Sequence, residues 1–563
     1  MRLLRLFLVC LLLGSLFRGS LLKAQDFRSP LDIPLLMSAN FGELRPNHFH
    51  AGLDLKTQGV EGKPIYAVED GYVSRISVSP WGYGNGLYLT HPNGTTTLYG
   101  HLKRFSSKIA RFLIAEQYKQ ERFRVDLHLT PEQLPVKKGE IVAYSGNTGS
   151  SGGPHLHFEI RDTETEQLMD PIVFYQNKIK DTRPPKIHGV MICPFEGRGV
   201  VNNSTAKLKL KPVTGKNGKS VLTGKIEAWG EIGLAINAND YMDNTTNIYG
   251  VKDVRLSMDS LDVFHFHIDR YGFDETRYIN ALIDYAELKK HGTLYMRNFI
   301  EPGNRLNCVE GRNEGVISID EEKTYHLRYL LTDAYGNQTR LSVFIEGKRQ
   351  DIPEATRDTS AFFSWNSENK FGSKGIRLTV PRGSLYNDLA FRYDIKTDSS
   401  AIAPVHYLHD ELVPLHSGAD LSLRLAVDTL QDKGKYGIVC VKNGYSQWVG
   451  GTYRNGWIDG HISGMGAYSI RTDTSKPTIT PLQTSSWPKN GVFRFRLTDN
   501  LSGVESYRGE IDGKFVLFEM NSRSVISYRL DRKIYQKGKP HTLKIKVVDA
   551  AGNRNEYTYN ITW

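Results

Sequence analysis

Three short runs in the first third of the chain alternate strictly between apolar and polar positions. They are His48-Phe-His50-Ala-Gly-Leu-Asp54, Thr97-Leu-Tyr99-Gly-His101 and His155-Leu-His157-Phe-Glu159. In a β-strand successive side chains point to opposite faces, so this period of two predicts three strands with one polar face each. Phe49, Ala51, Leu53 and Leu55 would fill a core, as would Leu156, Phe158 and Ile160. Between the second and third runs, Phe105–Pro135 changes period. Ile109, Phe112, Leu113 and Tyr118 make an apolar stripe opposite Lys108, Arg111, Lys119 and Arg122, which predicts a helical insert. Beyond residue 178 the chain shows short alternating runs with many turn signals and little helical pattern, the signature of β-sandwiches. The fold class expected is mostly β: an N-terminal antiparallel sheet domain over 28–177, then tandem β-sandwich modules.

The polar faces carry the chemistry. His50 and Asp54 share one face, and His155 and His157 share another. Two imidazoles and a carboxylate are a fitting set for a zinc site with an open position, which leaves two histidines for acid–base work. The spacing H-x-H alone is weak, because His265-Phe-His267 repeats it within another alternating stretch; lacking an H-x-x-x-D partner, that pair is read as a solvated strand face. His48 lies on the face of His50 and is not read as a ligand. Glu159 is placed to orient one of the histidines or to be a strand-end charge. The glycine-rich Ser145–Gly153 lacks the Gly-Lys-Ser/Thr of a phosphate loop and is read as a tight loop delivering His155 and His157. There is no H-E-x-x-H, so the glutamate base of helical zinc peptidases is absent.

In combination these motifs resemble the lysostaphin/LytM-type zinc metalloendopeptidases, which cleave peptide cross-links of bacterial peptidoglycan. His50 and Asp54 match its H-x-x-x-D, His101 its lone downstream histidine, and Gly-Pro-His155-Leu-His157 its H-x-H. Pro64–Val73 and Val136–Gly149 resemble its strand and turn segments. The resemblance covers about residues 35 to 175. It implies that His50, Asp54 and His157 bind Zn²⁺, that His101 and His155 are catalytic, and that the substrate is a peptidoglycan stem peptide. The insert Phe105–Pro135 departs from the family pattern, either as a wall or gate of the groove or as a surface decoration.

Targeting fixes the compartment expected. Met-Arg-Leu-Leu-Arg leads into an apolar run from Leu6 to Phe17, followed by Ala24. This reads as a signal peptide over 1–24 and an exported protein of the periplasm, cell envelope or exterior, with no later transmembrane stretch. The net charge is +11, to which Arg2, Arg5, Arg18 and Lys23 contribute four. A mildly basic exported chain suits an anionic envelope surface, and no nucleic-acid module is found. Cys193, Cys308 and Cys440 permit at most one bridge and read as buried small apolar residues.

The 563 residues suggest several domains. Asp181-Thr-Arg-Pro-Pro-Lys-Ile187 recurs as Asp473-Thr-Ser-Lys-Pro-Thr-Ile479, and Asp333-Ala-Tyr-Gly-Asn337 as Asp549-Ala-Ala-Gly-Asn553. These repeats delimit immunoglobulin-like sandwiches over 184–347 and 475–563, separated by a β-rich domain over 352–472. No ligand is assigned to the modules, which are left as docking surfaces for envelope proteins. Besides the endopeptidase, two other functions fit: a catalytically silent or autoinhibited envelope scaffold that activates other wall hydrolases, and a protease on protein substrates.

Overall fold

The computed structural model describes residues 27–214, 220–355, 359–397, 402–522, 524–531, 533–535 and 538–562. The signal peptide expected over 1–24 lies outside them. The fold is mostly β. In the N-terminal domain the main sheet is built from β1 (Met37–Ala39), β2 (Leu53–Lys56), β3 (Gly71–Val78), β4 (Asn85–Thr90), β5 (Thr95–Gly100), β6 (Val125–His128) and β7 (His155–Asp162). Their spatial order is β1-β2-β7-β5-β4-β3-β6, antiparallel throughout. Leu53, Leu98, Leu156, Phe158 and Ile160 are fully buried at its centre. A second, three-stranded sheet pairs Ile141–Tyr144 with Pro64–Tyr66 and Arg104–Phe105.

The insert is a helix followed by a strand. The helix α1 (Ser107–Lys119) buries Ile109, Leu113 and Gln117, one face at four-residue spacing. Its apolar stripe ends earlier than the sequence suggested: Phe112 is half-buried and Tyr118 exposed on this domain. Strand β6 then extends the sheet edge, with β4 and β3 lying between it and β5.

The first β module joins this domain without a break in the core. A short strand, Arg270–Tyr271, pairs with Leu168–Met169 at the end of the main sheet. Phe41 and Phe49 meet the Tyr271 ring at 5.3 Å, and the Tyr271 hydroxyl donates to Phe49 O at 3.0 Å. One continuous cluster of buried apolar residues runs from Phe27 to Ile345. Within the module the strands form one twelve-stranded hydrogen-bonded network rather than two separate sheets. Its long strand Lys186–Val201 keeps pairing with Glu227–Asn239 on both sides of a bulge between Pro194 and Gly199, which lets the layer bend without ending.

The two later modules are sandwiches with cores of their own. Residues 369–472 contribute two five-stranded sheets over a core that includes Ile376, Leu421, Ile438 and Ile470. Residues 478–561 contribute two four-stranded sheets over Trp487, Phe495, Ile526 and Ile545. The last module reaches back to the insert: Phe515 meets Tyr118 edge to face at 5.7 Å, and Arg508 Nη1 donates to Glu121 Oε2 at 2.7 Å. Cys193, Cys308 and Cys440 are all free thiols. No helix among the described residues is long and apolar enough to cross a membrane.

Candidate metal centre and active site

Strand β7 is the spine of the site. It pairs with β2 in the register His157↔Asp54 and with β5 in the register His157↔Gly100. The polar face of β7 is therefore flanked by Asp54 on one side and by the end of β5 on the other. The segment His48–Asp54 is not one strand as the alternation implied. A two-residue strand, His48–Phe49, and β2 are separated by a kink. Gly52 sits at that kink against β7, where an added Cβ would lie 2.2 Å from Phe158 O. The bend brings His50 over Asp54. His101 likewise falls just past β5, with a left-handed backbone (φ 58°) and its N–H on Tyr83 O at 2.8 Å. A non-glycine residue held in this region stores strain, which turns the imidazole back towards β7.

Three donor atoms converge. His50 Nε2 lies 3.0 Å from Asp54 Oδ1, His157 Nδ1 lies 2.8 Å from the same oxygen, and the two nitrogens are 3.2 Å apart. Tetrahedral coordination at about 2.0–2.1 Å places ligands roughly 3.3 Å from one another. The set thus closes around a volume of the right size for a metal ion.

The opposite nitrogen of each ring is already committed. His50 Nδ1 donates to Asn40 O at 2.7 Å, and His157 Nε2 donates to Glu159 Oε1 at 2.8 Å. These bonds leave His50 Nε2 as a lone-pair donor, and His157 Nδ1 becomes one when it gives up its proton to a metal. Glu159 is fully buried and held by Arg161, whose Nε and Nη2 donate to its Oε2 at 2.8 and 2.6 Å, and by the Tyr83 hydroxyl at 2.5 Å. Burial alone would raise its pKa, but Arg161, His157 and Tyr83 hold the carboxylate down at about 2. Burial likewise works against a charge on His157, but Asp54 and Glu159 prevail and lift it to about 9. Asp54 is drawn well below its ordinary range against its burial by His50, His155 and His157.

The other two histidines stand beside this set. Their rings are 4.8 Å apart, and His155 Nε2 lies 3.4 Å from Asp54 Oδ1. His101 Nδ1 donates to Thr148 O and His155 Nδ1 to Gly153 O, both at 2.8 Å, so each turns Nε2 inward. Burial first, then the neighbouring imidazoles, depress His101 to about 4. It is neutral at pH 7 and able to accept a proton.

The sequence reading named these five residues, and the structure brings all five together. It passed over Arg161, which continues the same strand face at period two, and Tyr83, whose loop position carries no pattern. The loop 79–84 packs on the glycine-rich loop, Ser150 N donating to Gly82 O at 2.8 Å, and on its other side it lines a shallow depression with Arg122, Arg124 and Asp126 of the insert. Arg45, on the opposite side, reaches Asp54 Oδ2 at 3.5 Å. His48 is exposed, its Nδ1 on Pro46 O at 3.1 Å. His265 and His267 are more than a solvated face, because both bind Asp253 Oδ2, at 2.8 and 2.9 Å. No outer acceptor orients these two rings among the described residues, unlike those of His50 and His157.

Two segments of the chain match known families. Residues 48–117 and 123–171 match Peptidase family M23, and residues 360–473 match the Zu5-like domain. The chain is 33% identical over 112 residues to the DD-carboxypeptidase/endopeptidase Mpg of Neisseria meningitidis serogroup B, covering 20% of each protein. It is 32% identical over 147 residues to the peptidoglycan DD-endopeptidase ShyC of Vibrio cholerae, covering 25% of this chain and 28% of that one. The alignments thus span about a fifth to about a quarter of these relatives. Among solved structures, a zinc containing peptidase from Vibrio cholerae is 27% identical, with 24% of this chain and 37% of that chain covered and a TM-score of 0.18. The chain therefore carries a peptidase family M23 domain of the lysostaphin/LytM type, followed by further β modules.

Proposed function

We propose that the N-terminal domain is a zinc metalloendopeptidase that hydrolyses peptide cross-links of bacterial peptidoglycan, in a chain exported by its first 24 residues. The observation that carries this reading is the triangle of His50 Nε2, Asp54 Oδ1 and His157 Nδ1, each imidazole having its far nitrogen tied elsewhere. Zn²⁺ in that triangle supplies Lewis acidity towards a peptide carbonyl and an activated water near neutral pH. The three residues would hold the ion; Glu159, Arg161, Tyr83 and the Asn40 carbonyl keep the two imidazoles in register.

His101 and His155 perform the proton work. Their Nδ1 atoms are tied to Thr148 O and Gly153 O, which turns both Nε2 atoms inward, where either is placed to take the proton of the attacking water. Once protonated, the same nitrogen donates to the developing oxyanion or to the leaving amine. The neutral state of His101 suits the base. The later modules serve to position the domain on the wall, with envelope proteins as possible partners of their exposed surfaces.

The experiment is muropeptide mass spectrometry. Mature protein is incubated with peptidoglycan sacculi beside His101→Ala and a chelator-treated sample. Loss of cross-linked dimers in the first alone supports the reading, and product masses name the bond. Intact dimers with zinc-loaded protein reject it in favour of a silent scaffold that activates other hydrolases.

A further inference from the structure

Two triads of carboxylates outside the histidine site are built on the same plan. Asp181, Asp240 and Asp333 each bring an oxygen within 4.8 Å of the others, and so do Asp473, Asp499 and Asp549. In both, the first aspartate opens the Asp-Thr-x-x-Pro segment and the second directly follows a strand, Glu227–Asn239 or Val492–Thr498. The third opens the Asp-x-x-Gly-Asn turn. The asparagine that closes each turn locks it: Asn337 Nδ2 donates to Asp333 Oδ2 at 2.8 Å and Asp181 O at 3.4 Å, and Asn553 Nδ2 to Asp549 Oδ2 at 2.8 Å and Asp473 O at 3.0 Å.

The copies differ in how the charge is met. In the C-terminal module Ser502 N donates to Asp473 Oδ2 at 2.9 Å, and Leu501 N and Gly503 N donate to Asp499 Oδ2 at 3.0 and 2.8 Å. One oxygen of that triad, Asp499 Oδ1, is left without a donor. In the first module two are left: Asp181 Oδ2 and Asp240 Oδ1 are buried, and no hydrogen-bond donor among the described residues reaches either. The residues themselves are 7% and 4% exposed. The Arg183 guanidinium makes no hydrogen bond to the triad among the described residues, Nη1 donating to Met242 O at 3.3 Å and the group lying 5.1 Å from the Tyr241 ring, although its charge partly offsets the rise of Asp240. Burial, then the charges of Asp333 and Asp243, push Asp181 up to about 6; burial, then Asp333 and Asp181, push Asp240 up to about 8. Unpaired buried carboxylates are costly unless a proton or a cation joins them.

We propose that Asp181, Asp240 and Asp333 bind one calcium ion at the seam between the M23 domain and the first β module. Two unpaired inward oxygens, Asp181 Oδ2 and Asp240 Oδ1, beside the Asp333 carboxylate, whose oxygens already accept from Tyr335 N, Asn337 N and Asn337 Nδ2, make a hard, all-oxygen site, and calcium tolerates the irregular geometry that magnesium does not. The site joins the segment leaving the M23 domain to the turn of the module. Gln176 Nε2 donates to Ala334 O at 3.0 Å and the Tyr335 hydroxyl to Ile179 O at 2.9 Å beside it. The bound ion would clamp that seam.

The test uses the full chain, stripped of metal, restored with one equivalent of zinc and titrated with calcium chloride by calorimetry at pH 7.5. The parent takes up one calcium and its Tm rises. Asp240→Asn binds at least tenfold more weakly while melting no lower than the calcium-free parent, since it removes repulsion. Asp181→Asn behaves alike, and Asp499→Asn retains the uptake. Absence of uptake by the parent, or uptake retained by a folded Asp240→Asn or Asp181→Asn, overturns the proposal. A parent that ignores calcium but gains Tm between pH 8 and pH 6 holds a shared proton there, which also overturns it.

Discussion

The carbonyl of Asn40 takes the Nδ1 proton of His50 at 2.7 Å. The Asn40 side chain meanwhile exchanges two hydrogen bonds with Gly250 of the first β module, at 2.9 and 2.8 Å. The orientation of a candidate metal ligand is thereby coupled to a module more than 200 residues away. Asn40→Ala is expected to cost about 1–3 kcal/mol of stability in urea unfolding, because a backbone pair across the seam loses its partners. Zinc affinity, read by chelator competition, is expected to fall with it. An unchanged affinity would show that the N-terminal sheet alone holds His50.

Glu159→Gln strikes deeper. The buried Arg161 guanidinium loses its counter-charge, at a cost of about 3–5 kcal/mol. His157 loses its anionic partner, for which a 10- to 100-fold drop in metal affinity is typical. Tyr83→Phe removes a single donor to the same carboxylate and should be much milder in both measurements.

His101→Ala and His157→Ala separate holding from turning over. The first should keep one zinc by atomic absorption while hydrolysis falls about 10²–10⁴-fold. The second should lose the metal. Equal metal loss in both would remove His101 from the proton-transfer role.

Zinc uptake should release a proton. Without metal, the pKa of His157 is raised to about 9 from an ordinary value near 6.5, so the stability it contributes is complete below about 6.5 and fades as pH rises through 9. The ion needs Nδ1 free, and at pH 7.5 it must displace that proton. Calorimetry in buffers of different ionisation enthalpy should report about one proton per zinc. His101 acts in the opposite sense: with its pKa lowered to about 4, its contribution is present above 6.5 and is lost as pH falls towards 4. A metal-free protein should therefore weaken at both ends of that range.

A chain ended after residue 178 should fold poorly or aggregate. It exposes Phe41 and Phe49, which the module covers with Tyr271, and leaves Leu168–Met169 without its paired strand. A monodisperse, cooperatively melting fragment would refute this.

Local alternation was enough to read the mostly β fold and the faces of β7, since His155, His157 and Glu159 lie on a continuous strand whose period of two survives folding. It misdescribed His50 and Asp54, which meet across a kink at Gly52, and His101, which lies past its strand in a left-handed turn. Spacing still named them because the kinks leave the order of residues intact. The outer partners were illegible for a different reason. Asn40, Thr148 and Gly153 act through main-chain carbonyls, which every residue type carries. The pairing of Leu168–Met169 with Arg270–Tyr271 joins segments about a hundred residues apart and has no local signal. His265 and His267 show the converse: a pattern identical to that of the site, met in space by Asp253 alone.

The contact of Arg508 with Glu121 bridges 387 residues and returns the last module to the first domain. Adjacent modules also touch, through the Tyr386 hydroxyl on Arg277 O at 2.9 Å and Lys435 Nζ on Ala551 O at 2.8 Å. The modules therefore form a closed circuit rather than a string of beads. A protease cutting one linker would leave the pieces held by every remaining joint, each rebinding at the high local concentration set by its neighbours. Such a nicked chain would migrate as two bands under denaturing conditions and as one particle in native buffer.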